Sequence, residues 1–285
     1  LSRWVNFQVL KELWRCLNRD DAAGLAAEMT YNWMLSLIPA LIFIFAIFGM
    51  FGVKSDLFGQ LMNRLYIVAP RDAYSLVLAS LQELTRDSNG GVAVLSLLGA
   101  VWTASNGINS AEKALNRAFQ CVEKRRGLVR HALVGVGAVV GLGLVMFVSS
   151  NLIVFGDVIF NFIQQNFYIP TEAVFLFGLL RWGIAIGGLV LIMSFIYWLL
   201  PDVRSARLSF RERVLPGTLV FVPLWLLISW LFSLYVTNFA HYNKIYGSMG
   251  AIIVLMIWLY LTSYTLIIGG EVNAIVSGCS ADEPD

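Results

Sequence analysis

Charge is scarce in this chain. Only 13% of its 285 residues are Asp, Glu, Lys or Arg, against roughly 25% in an ordinary soluble domain. Hydrophobic residues make up 58%. That imbalance is too large for a soluble core of this length, so a water-soluble globular domain is excluded. Histidine is scarcer still, limited to His131 and His241. No HxH, HExxH or clustered carboxylate pair is present to hold a catalytic metal. No GxSxG and no P-loop occurs. Cysteine is limited to Cys16, Cys121 and Cys279. An odd count without regular spacing argues against a disulfide framework. The chain is therefore expected to be no enzyme and to carry neither cofactor nor metal. Residues 1–20 contain Arg3, Lys11, Arg15 and Arg19 but no continuous apolar stretch, so they are not a signal peptide. The chain begins at Leu1, as expected of a sequence that lacks its true start.

What is abundant is the long apolar run. A bilayer core needs about 20 mostly apolar residues per helix. Six segments qualify: 31–53, 91–110, 132–153, 174–200, 215–236 and 248–270. The second is diluted by Thr103, Ser105, Asn106 and Asn109 and needs an independent check. The basic residues supply it, because Lys and Arg concentrate in cytoplasmic loops. Arg3, Lys11, Arg15 and Arg19 precede the first span. Lys113, Arg117, Lys124, Arg125, Arg126 and Arg130 follow the second. Arg204, Arg207, Arg211 and Arg213 follow the fourth. The opposite side holds only Lys54, Arg64, Arg71, Arg86 and Lys244. Six spans with both ends in the cytoplasm fit this alternation, whereas five spans mix basic and non-basic loops on each side. The expected fold is all-α: a polytopic integral membrane protein with six transmembrane helices. Residues 1–279 form one membrane domain, and 280–285 an acidic, disordered tail.

Interfacial helices are expected beside the spans. Trp4, Phe7, Trp14 and Leu17 recur at helical spacing with Lys11, Arg15 and Arg19 along a neighbouring edge. This suits a helix on an anionic inner leaflet. Leu57, Leu61, Met62 and Leu65 form another stripe. Tyr74, Val77, Leu78 and Leu81 form a third, as in an outer helical hairpin.

Ionisable and polar groups inside a span are costly and point to function. Glu28, Asn32 and Ser36 lie at i, i+4, i+8 on one face of the first helix. Ser105, Asn109, Glu112 and Asn116 form one face of the second, with Asn106 beside it. Tyr260, Tyr264 and Glu271 are spaced i, i+4, i+11 in the sixth, with Asn273 near the same end. All three stripes point toward the cytoplasmic half. They make either a buried network that glues helices or a hydrophilic cavity open to the cytoplasm. Glu271 is expected to end the sixth helix and to find Arg117 or the basic stretch 204–213 as its partner. Arg181 is an intramembrane charge in the fourth span, placed to snorkel outward. Adjacent Asp20 and Asp21 suit a helix cap. Gly137 and Gly141 read as a close helix contact, with Gly183, Gly187 and Gly188 as the matching surface.

Four stretches resemble the YihY/virulence factor BrkB family of bacterial inner-membrane proteins. They are 26–39, AAEMTYNWMLSLIP; 102–119, WTASNGINSAEKALNRAF; 197–201 followed by Pro216-Gly217; and 242–260, YNKIYGSMGAIIVLMIWLY, leading to Gly270-Glu271-Val272-Asn273-Ala274. Glu28 departs from the family's pattern, in which a small or apolar residue is usual. The resemblance implies a six-helix fold in the inner membrane. It also brings a ribonuclease label, which finds no support in these residues, and a virulence name that comes from serum resistance in a pathogen. The functional expectation is a transporter-like protein. It moves or gates a small solute or lipid through polar residues of the first, second and sixth helices. The alternative is a non-transporting envelope scaffold or regulator. The lipid bilayer is the expected partner, and nucleic acid is not.

Overall fold

The computed structural model describes residues 7–50, 78, 106–120, 171–202, 210–238 and 248–278. Every element among the described residues is an α-helix, which establishes the all-α class. The helices are α1 (Phe7–Arg19), α2 (Ala22–Met50), α3 (106–118), α4 (Thr171–Leu199), α5 (Phe210–Asn238) and α6 (Ser248–Val276). Several expectations lie outside the described residues. They are the third span, most of the second with Ser105, the outer-loop stripes apart from Leu78, the Gly137–Gly141 pair and the acidic tail.

Helices α2, α4, α5 and α6 are each 29 residues long. At 1.5 Å per residue each runs about 43 Å, more than the ~30 Å hydrocarbon core of a bilayer. Stretches Arg213–Val236 and Ile252–Val276 are long and apolar enough to cross a membrane. Their outer faces are apolar too. Leu227, Trp230, Leu231 and Leu234 project from α5, and Ile253, Met256 and Ile257 from α6. Helix α4 exposes Trp182, Ile186, Leu191, Phe195 and Trp198. Large side chains in such a band are suited to lipid and not to water.

Helix α6 is the hub, packing on α5, α2 and α1, while α4 packs on α5. A string of aromatic contacts ties α4, α5 and α6 together. Tyr197 meets Phe221 edge-on at 6.5 Å, Phe221 stacks on Trp225 at 6.4 Å, and Trp225 meets Trp258 at 6.2 Å. Small residues let the helices approach further. A Cβ on Gly217 would collide with the Gly269 carbonyl oxygen, and one on Gly269 with Tyr197 Oη. A Cβ on Gly270 would strike Leu115 of α3. Helix α3 also meets α2, where Gly107 lies under Trp33 and Ser36 and its carbonyl accepts from Trp33 Nε1 at 2.7 Å.

These contacts explain a difference from the sequence reading. Glycines weaken an isolated helix by about 1 kcal/mol each, so Gly269-Gly270 looked like an end. Tertiary packing overrides that preference, and α6 continues to Val276. Glu271 and Asn273 therefore lie inside the helix, not at its terminus. By contrast, Gly183, Gly187 and Gly188 of α4 have nothing within 4 Å of an added Cβ. The contact expected of them is with Gly137 and Gly141, which lie outside the described residues.

Two residues, Asp20 and Asp21, join α1 to α2. Asp21 adopts φ 52°, and its Oδ1 accepts the Gly24 N–H at 3.2 Å, capping α2. The capping role expected of the pair thus falls to Asp21. Asp20 turns inward, is buried, and pairs with Arg19 at 3.0 Å. The single apolar stripe expected on α1 splits in two. Cys16 and Leu17 are buried in the bundle, whereas Leu10 and Trp14 face outward, 64% and 67% exposed.

Candidate polar site

The site lies where α2, α3 and α6 meet, closed at one end by the α1–α2 turn. On α2, Ser36 is buried and donates to the Asn32 carbonyl at 2.5 Å. Asn32 itself is half-buried. One and two turns earlier, Glu28 forms an ion pair with Lys113 of α3 at 2.6 Å. Its side chain is 41% exposed, so this pair sits on the rim.

Helix α3 supplies the next face. Asn106 is exposed, Asn109 is half-buried and Glu112 is buried. The Asn109 Oδ1 is buried without a hydrogen-bond partner among the described residues. Asn116 Oδ1 accepts the Asp202 N–H at 2.7 Å, holding the end of α4 against α3. Lys113 and Arg117 are exposed.

On α6, Tyr260 and Tyr264 stack at 6.2 Å, both half-buried. Further along, Ser263 is buried with its hydroxyl unpartnered among the described residues. Asn273 is fully buried, and its Oδ1 accepts the Gly217 N–H at 2.6 Å. Pro216, the residue before, has no N–H to give the α5 ladder, so Asn273 braces α5 where its own hydrogen bonding is thinnest. Helix α5 is bound a second time by Arg213, which donates to the Pro201 carbonyl at 2.9 Å.

Glu271 is the most constrained of the group. It is 0% exposed, and neither carboxylate oxygen has a hydrogen-bond partner among the described residues. The groups that face it are Asp20 and Arg19 of the α1–α2 turn. Two ionised carboxylates are both acceptors, so a bond between Asp20 and Glu271 needs a proton on one of them. Arg19 answers both charges. Its hydrogen bond to Asp20 is the main force holding the guanidinium above its ordinary value; burial opposes this, and the Glu271 charge adds to it. Among the described residues Arg19 is the cation whose charge acts on Glu271; Arg117 is exposed, and 204–209, part of the other expected partner, lie outside the described residues. The sequence offered a signal for this in the Arg19-Asp20-Asp21 run, which the capping reading absorbed. Gln120 completes the junction, its amide oxygen accepting from Arg19 Nε at 2.9 Å and Nη2 at 2.6 Å. Arg181 lies in α4, with its side chain outside the described ones.

Chemically the arrangement is acceptor-rich, buried and without a cluster of three metal-ligating side chains among the described residues. The family model for virulence factor BrkB matches residues 13–285. The chain belongs to the virulence factor BrkB family. Among its relatives, the ribonuclease-like protein YfkH of Bacillus subtilis (strain 168) is 33% identical over 269 residues, covering 94% of each chain. A UPF0761 membrane protein of Psychromonas ingrahamii is 26% identical, covering 95% of this chain and 88% of the relative. Another, PSHAa0171 of Pseudoalteromonas translucida, is 28% identical, covering 92% of this chain and 83% of the relative. No solved structure matches. Membership in the BrkB family agrees with the membrane character of the exposed helix faces, and the two UPF0761 relatives are themselves called membrane proteins.

Proposed function

We propose that this BrkB-family membrane protein is transporter-like, moving or gating a small solute or lipid along the polar seam between α2, α3 and α6. It crosses the bacterial inner membrane six times with both ends in the cytoplasm, and it is not an enzyme. The observation that carries this is Glu271: a fully buried carboxylate that faces a second carboxylate, Asp20, and has no ion pair of its own among the described residues, since Arg19 is paired with Asp20. Leaving a buried acceptor unsatisfied costs about 1–3 kcal/mol, more for a charged group. A residue kept only to hold helices together would be satisfied. A ligand or solvent passing the seam would provide the donors that the described residues do not.

A scaffold or regulator is the second possibility, favoured by three specific bonds. Glu28–Lys113, Asn116–Asp202 and Asn273–Gly217 all join separate segments and act as glue. The ribonuclease-like name of the Bacillus subtilis relative brings no residue set with it.

Cysteine accessibility separates the two main possibilities. With Cys16, Cys121 and Cys279 replaced, single cysteines at Asn32, Asn109 and Tyr264 should react with a small polar thiol reagent supplied from the cytoplasmic side. Cysteines at outward-facing Leu35 and Ile257 should not. Uniform protection at all three seam positions would favour the scaffold. Glu271→Gln should leave the protein folded and inserted while abolishing its cellular phenotype. A parallel loss of expression and thermal stability would make Glu271 a structural residue.

A further inference from the structure

We propose that the end of the bundle carrying the α1–α2 turn binds anionic phospholipid headgroups through exposed Lys11, Arg15, Arg117 and Arg211, with Leu10 and Trp14 seated among the acyl-chain ends. Hydrogen bonds bring these elements to one end. Gln120 links the end of α3 to Arg19 at the end of α1. Asn116 links α3 to Asp202 after α4. Arg213 links the first turns of α5 to Pro201.

At this end the two signs of charge are sorted by depth. The acids Asp20, Glu112, Asp202 and Glu271 are all buried. Lys11, Arg15, Lys113, Arg117 and Arg211 are all exposed. Of the remaining acids described here, Glu12 is half-buried and Asp21 is spent on the α2 cap, while the Glu212 side chain lies outside the described ones. Among the described residues the outer surface therefore presents positive charge, although the chain's net charge is only +2. Lys113 is answered by Glu28 and is left out of the proposed set.

Apolar groups accompany the charge. Helix α1 is fixed by buried Cys16, Leu17 and Asp20, so its opposite face has a set direction. That face carries Leu10 and Trp14 beside Lys11 and Arg15, the composition of a helix lying in the headgroup layer. Trp198, exposed near the end of α4, is a second aromatic at this level. A basic surface with apolar side chains between the cations matches a negatively charged leaflet in both respects. A soluble acidic partner would leave Leu10 and Trp14 in water.

The test uses the full chain in nanodiscs of phosphatidylcholine with phosphatidylglycerol, followed by native mass spectrometry of the lipids it retains. The wild type should retain phosphatidylglycerol over phosphatidylcholine, and the preference should fall as salt is raised. Arg15→Gln alone should lower the preference about fivefold, from the ~1 kcal/mol expected per surface cation. Lys11→Gln, Arg15→Gln, Arg117→Gln and Arg211→Gln together should remove it. Arg15→Lys, which keeps the charge, should retain it. If the fourfold variant does not fold, the single variants and the salt titration still decide. No preference in the wild type, or one insensitive to salt and to Arg15→Gln, overturns the proposal. Charge-dependent binding of a short RNA in neutral-lipid discs, without preference for phosphatidylglycerol, assigns the surface to nucleic acid and also overturns it.

Discussion

Asn273 and Glu28 both carry a polar bond between helices, and burial decides how much each is worth. Asn273 is fully buried and accepts from Gly217 N–H. Asn273→Ala leaves that buried donor without its partner, so it should cost about 1–3 kcal/mol. Thermal unfolding in detergent or nanodiscs should show a clear drop in Tm. Glu28 makes an equally short contact at 2.6 Å, but both partners reach solvent. Exposed ion pairs contribute about 0–1 kcal/mol after screening, so Glu28→Gln should leave Tm nearly unchanged. A large drop there would mean that Glu28 sits in a drier environment than its exposure indicates. The sequence marked both residues as members of polar stripes. It contained no information on depth, because depth is set by which helices cover the stripe. It also did not disclose that Glu271 faces Arg19. That neighbour lies at the other end of the chain and arrives through the turn of α1 back onto α6.

At the level of the helix, existence and type were legible and ends were not. Long apolar runs specify helices because only internal hydrogen bonding satisfies the backbone in lipid. Ends follow local propensity, and propensity misleads wherever glycine serves packing. Gly269 and Gly183 make a matched pair for this point. Both lie inside 29-residue helices. A Cβ on Gly269 meets Tyr197 Oη and the Gly217 carbonyl. Tyr197 cannot easily withdraw, since it is buried and donates to the Leu266 carbonyl at 2.9 Å. Gly269→Ala should therefore force α4, α5 and α6 apart at a cost of about 1–3 kcal/mol. A Cβ on Gly183 meets nothing within 4 Å among the described residues, so Gly183→Ala should be neutral or stabilising by about 0.4–1 kcal/mol. Tm measured on the two variants in one lipid composition checks both signs. A destabilising Gly183→Ala would show that its face is covered in the assembled protein. The split of α1 into an inner and an outer apolar face is another detail the sequence did not settle. Trp14 and Leu17 are close enough in helical angle to read as one stripe, and only the docked helix separates them.

For the whole molecule, the polarity of the bundle can be set against the distribution of basic residues along the chain. The sequence places three strongly basic segments on one side of the membrane: before the first span, after the second and after the fourth. The hydrogen bonds supply an independent observation. Arg19, Gln120, Asn116, Asp202, Pro201 and Arg213 are joined pairwise at one end of the helices. They belong to, or directly adjoin, those same three basic segments. Glu271 near the end of α6 faces the same junction through Arg19, which draws the C-terminal end there too. Segments that start and finish at one end of a bundle must be separated by even numbers of crossings. Six crossings with both termini on the basic side satisfy this, and the basic side is expected to face the cytoplasm. Single cysteines at Arg125 and Arg207 should then be shielded from an impermeant thiol reagent added outside intact cells, and should react once the cells are opened. Cysteines at Ser55 and Asn243, on the side with few basic residues, should react from outside. Labelling at Arg125 in intact cells would overturn the orientation. Protection at both Ser55 and Asn243 would instead remove the outer loops that six crossings require, and with them the seam as a route between the two sides.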